Sequence, residues 1–77
     1  MIGTAGVVVH INEDLNKNNR KELSQKVGAL DGVLSTSLKK QRPHLMIVDY
    51  DPNQTRSQDV LSTVNNSGVH AQLVGWV

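Results

Sequence analysis

The residues best suited to chemistry near neutral pH are His10, His44 and His70, because imidazole is the one unperturbed side chain that changes charge there and is the commonest metal ligand. Glu13 and Asp14 follow His10 within four residues. His10 and His70, with His44 or one of these carboxylates as a further ligand, could take zinc, nickel or copper(II), and for zinc each ligand would have to reach about 2.0–2.1 Å. His44 follows Pro43 in a turn and is the least suited of the three. The alternative is three histidines at strand ends with no shared role. The chain has no cysteine, which excludes disulfides, thiolate zinc sites and thiolate delivery of a soft metal ion. Nor is a catalyst visible: no Ser or Lys is spaced to pair with a base, and Gly3-Thr4-Ala5-Gly6 lacks the Gly-Lys-Ser/Thr ending of a phosphate loop. The expectation is a protein that is not an enzyme.

The elements that must carry these residues follow from the apolar pattern. Val7 to Ile11 is a β-branched run behind Gly3 and Gly6, read as strand 1. The Asn-rich stretch 12–19 reads as a loop, and from Arg20 the spacing of Leu23, Val27 and Leu30 predicts a helix stopped by Asp31-Gly32. Val33 to Leu38 and Leu45 to Tyr50 read as strands 2 and 3 of a hairpin, joined by the polar turn Lys39-Lys40-Gln41-Arg42-Pro43. Asp51-Pro52-Asn53 breaks strand 3. Val60, Leu61 and Val64 predict a helix over Ser57 to Asn65, Ser67-Gly68 stops it, and Val69 to Val77 reads as strand 4.

The order βαββαβ implies one α+β domain over residues 1–77, a ferredoxin-like two-layer sandwich with two helices on one face of an antiparallel sheet ordered 4-1-3-2. Strand 1 then runs antiparallel to strands 3 and 4, so His10, His44 and His70 gather at one edge of the sheet. Period-two alternation sends Val7, Val9 and Ile11 towards the helices and leaves Val8, His10, Ser35, Ser37, Leu45, Ile47, Gln72, Val74 and Trp76 on the open face. Val8, Leu45, Ile47, Val74 and Trp76 form an apolar patch rimmed by polar residues, which points to an interface with Trp76 as its anchor.

Three stretches at matched spacing, Asp31-Gly32-Val33, Val48-Asp49-Tyr50-Asp51-Pro52 and Asn66-Ser67-Gly68-Val69, make nearly the whole chain similar to the heavy-metal-associated domain family of copper chaperones and metal-transporting ATPases. That resemblance implies a metal loop between strand 1 and helix 1 with two cysteines three apart. Counted back from Asp31-Gly32-Val33, those positions fall on Asn16 and Asn19, a degenerate metal loop without thiolates. Val69 stands where family members place a Lys or Tyr that leans towards the metal.

Composition narrows the partners. Eight Lys and Arg against seven Asp and Glu leave a net charge of +1, with no tract that suggests nucleic acid or a membrane. An RNA-binding domain of this topology would need aromatics on strands 1 and 3, where Val8, His10, Leu45 and Ile47 stand. The resulting expectation is a cytoplasmic adaptor without a cofactor, acting through a protein partner or a homo-oligomer. Histidine-based metal binding is the alternative. A further alternative is a small-molecule sensor resembling ACT domains, which bind amino acids at paired interfaces, although the loop after strand 1 lacks the glycine such domains tend to use.

Overall fold

Alternate apolar residues on three strands and one stripe on each helix bury a single core in the computed structural model, which describes residues 3–38 and 41–76. Lys39 and Lys40 of the basic turn, and Val77 of the expected fourth strand, lie outside the described residues. The order is β1 (Ala5–Ile11), α1 (Lys17–Gly28), β2 (Val33–Leu38), β3 (Leu45–Tyr50), α2 (Ser57–Asn66) and β4 (Ala71–Trp76). The sheet runs β2-β3-β1-β4, all pairs antiparallel. This is the ferredoxin-like sandwich expected from the sequence.

Val7, Val9 and Ile11 of β1 stand opposite or beside Met46, Val48 and Tyr50 of β3, and all six are buried. Leu23 and Val27 of α1 and Val60 and Val64 of α2 cover them. Fully burying a side chain of this kind contributes about 1.5–3 kcal/mol relative to leaving it exposed. The other face of the sheet carries no helix, and β1 pairs with β3 there through Val8 opposite Ile47 and His10 opposite Leu45.

Two expectations need correction. α1 begins at Lys17 rather than Arg20, because Asn16 caps it: its Oδ1 accepts from the Asn19 N–H at 2.8 Å. A polar first turn held by a cap leaves no apolar periodicity to read. The second concerns β4. Its pairing with β1 shifts by one residue between Val8 and Val9, so Leu73 faces Val9 but Gly75 faces Val8 and Trp76 faces Val7. Val74 is the extra residue of this bulge. The slip reverses the alternation, as one inserted residue must, and puts Trp76 on the helix side of the sheet instead of the open face.

Candidate functional site

The end of β1 is tied on both flanks by the residues that precede its neighbours. The Ile11 N–H donates to the His44 carbonyl at 2.8 Å, and the Asn12 N–H to the His70 carbonyl at 2.9 Å. These ladder bonds bring His44 and His70 to either side of the chain as it leaves the sheet, with His10 one turn of the pleat back. Among the described residues the three rings do not form one cluster. His70 uses Nδ1 on the Glu13 carboxylate at 2.6 Å, and its backbone N–H donates to the same carboxylate at 2.8 Å. His44 sets Nδ1 at 2.7 Å from the Ile11 carbonyl and Nε2 at 2.9 Å from Asp14. His10 stacks on His44, ring centres 5.9 Å apart and planes 18° from parallel, and its Nδ1 is buried without a partner. Among the described residues no three His, Asp or Glu side chains are grouped to hold a metal ion.

The Glu13 carboxyl titrates below its ordinary value of 4.5, chiefly because the His70 backbone N–H bonds it and then because the His70 ring does. A carboxyl lowered on folding adds stability that is present above its unfolded value and is lost as pH falls through the folded one. Glu13→Gln is therefore expected to lower the melting temperature at pH 7 and to lose that difference as pH drops below the ordinary glutamate range. Thermal melts of both proteins from pH 7 to pH 3 check this, and a gap that persists undiminished at pH 3 would contradict the assignment.

Asn16 and Asn19 stand at the N-cap and third position of α1, three apart and joined by the capping hydrogen bond. Residues 13–15 lead into that cap, and the Arg20 guanidinium holds the Leu15 carbonyl at 2.8 Å. The donor set does not suit a soft ion. The Asn16 amide oxygen is already spent on a backbone N–H, and neutral amides are hard, weak ligands beside thiolate.

On the open face, Val8, Leu45 and Ile47 line a shallow groove of about 390 Å³ with Ser37 and Arg42. Ile47 is 40% exposed there. Val74 is half exposed at the bulge on edge strand β4. Trp76, 69% exposed, lines a different hollow with Tyr50, Pro52, Thr55 and Arg56 at the start of α2. The patch expected from the sequence is thus divided, three of its residues lying in the groove and Trp76 across the sheet. Gly75 was the signal for this, since a glycine inside a strand often marks a bulge. Direct pairing of Glu13 and Asp14 with His70 and His44 was not foreseen either. Two consecutive acids leaving a strand flanked by two histidines was its sequence sign.

The sequence matches no protein-family model and no curated protein. Its fold has relatives among solved structures. A copper-binding domain from HMA7, a P-type ATPase, superposes with a TM-score of 0.86 at 15% identity, covering 94% of this chain and 96% of that one. The N-terminal domain of a potential copper-translocating P-type ATPase from Bacillus subtilis, in its Cu(I)-loaded state, also gives 0.86 at 16% identity, over 97% and 92%. Oxidized MerP from Ralstonia metallidurans gives 0.84 at 12% identity, over 95% and 100%. At these identities the likeness is one of fold. The chain has the two-layer architecture of these small domains, and the cysteines of a thiolate site are absent from its sequence.

Proposed function

We propose that this chain is a non-catalytic, cytoplasmic adaptor of the heavy-metal-associated type that has given up thiolate metal binding and acts through its open sheet face, on a protein partner or on a second copy. The observation that supports this most is the groove of Val8, Leu45 and Ile47 on the face without helices, rimmed by Ser37 and Arg42. Apolar side chains on a sheet face normally lie under another layer, and a solvated face alternates to polar residues. The capped, cysteine-free loop supports the other half of the reading, since the position where the resemblance expects cargo is occupied by a helix cap. No helix among the described residues is long and apolar enough to cross a membrane.

The test is a pair of photo-crosslinking positions. A probe at Ser37, beside the groove, is expected to give a discrete adduct with a partner or with a second copy, while a probe at the exposed Gln58 on α2 gives none. Ile47→Asp should remove the Ser37 adduct without changing the fold. Absence of an adduct from Ser37, or one that survives Ile47→Asp, would overturn the open-face reading.

A further inference from the structure

Glu13 and Asp14 diverge where the chain leaves β1, the first to His70 on the β4 side and the second to His44 on the β3 side. The two pairs look alike but differ in how they depend on a proton. His70 uses only Nδ1, and its backbone N–H makes a second bond to the same carboxylate. A neutral ring with hydrogen on Nδ1 keeps both. His44 is different, because both of its nitrogens face oxygens that only accept: the Ile11 carbonyl and the Asp14 carboxylate. Only the imidazolium donates to both at once. A neutral His44 keeps one bond and turns a lone pair towards the other oxygen. The Asp14 side chain is 96% exposed and has water as a substitute partner, whereas the Ile11 carbonyl sits at the end of a sheet strand. Asp14 is therefore the contact that opens.

We propose that His44 is a proton-operated latch on the loop of residues 12–16: the imidazolium holds Asp14 and with it the loop, and the neutral ring releases Asp14 while the Glu13–His70 pair stays closed. Other ionisable groups face the same place from each packed element. From β1, His10 stacks on the His44 ring, so a positive charge on His10 would work against the latch. Arg42 lines the groove beside Leu45, just past His44. From α1, Arg20 bonds the Leu15 carbonyl, and Glu22 and Lys26 line the hollow that also holds Glu13 and Asp14. Because the loop runs directly into the Asn16 cap, the state of the latch reaches the first turn of α1.

The experiment is a titration of the intact chain from pH 5 to pH 9, following backbone amides and histidine ring protons by NMR. The amides of residues 14–16 are expected to shift with the same midpoint as the His44 ring. Asp14→Asn and His44→Gln should each remove that component, and His70→Gln should leave it. Amides of Val7, Val9 and Val48 serve as the control for an intact fold. Loop amides that do not respond, that follow the His10 or His70 ring instead, or that still respond in Asp14→Asn would overturn the latch.

Discussion

Replacing Asn16 and Asn19 together with cysteine is expected to raise the affinity of the chain for Cu(I) by several orders of magnitude. The expectation rests on position and chemistry. The two residues lie at the N-cap and third position of α1, close enough for the Asn16 side chain to reach the Asn19 backbone at 2.8 Å. Two thiolates there would face each other across the first turn of a helix, where unsatisfied N–H groups and the helix dipole favour the ionised sulfur. Soft thiolates select Cu(I), which amides do not. Removing the Asn16 cap should cost about 1 kcal/mol, so the variant is expected to fold with a slightly lower melting temperature. Competition against a Cu(I) chelator, run on wild type and on both single variants, measures the gain. Wild-type Cu(I) binding as tight as that of the double variant would contradict the prediction. A folded double variant that fails to bind would show that the backbone of the loop, and not only its side chains, departs from a thiolate site.

What was legible in the sequence divides along physical lines. Val7, Val9 and Ile11 repeat with period two, and Val60 and Val64 repeat with the helical period. Burial enforces both patterns, so the layers and the strand order follow from them. The first turn of α1 has no buried residue, so periodicity placed its start three residues late, although Asn16 carried the capping signal. Trp76 was assigned to the wrong face because alternation was carried through Val74, where the register slips. Strand order also placed three histidines at one edge. Which oxygen each ring would meet is a matter of side-chain rotamers and of two acids with a choice of partners, and no spacing rule encodes that. Period-two alternation thus agrees with the side of the sheet that Val8, Leu45 and Ile47 occupy, and fails for Trp76, which lies beyond the bulge.

Gly32→Ala is expected to destabilise the fold far more than Gly68→Ala, although both glycines hold nearly the same left-handed backbone, φ +94° and +93°. For an L-residue that conformation costs roughly 1–2 kcal/mol, and at Gly68 nothing lies within 4 Å of the added Cβ. At Gly32 the Cβ would stand 2.8 Å from the Gln54 Cβ and 3.0 Å from the Thr55 Cγ2. Neither neighbour can easily retreat. The Asp51 N–H donates to the Gly32 carbonyl at 2.7 Å, the Gln54 and Thr55 N–H groups both bond the Asp51 carbonyl, and Thr55 is buried. Overpacking a fixed site adds about 1–3 kcal/mol, so the total comes to roughly 2–5 kcal/mol. Folded chains of this length have only about 4–12 kcal/mol to lose. Urea unfolding of the two variants against wild type gives the comparison, and equal losses would show that the β3–α2 turn yields without resistance. Thr55, Pro52 and Arg56 of that turn line the hollow around Trp76, the sole tryptophan. Its fluorescence should therefore shift in folded Gly32→Ala and stay unchanged in Gly68→Ala, which separates displacement of this turn from a general loss of stability.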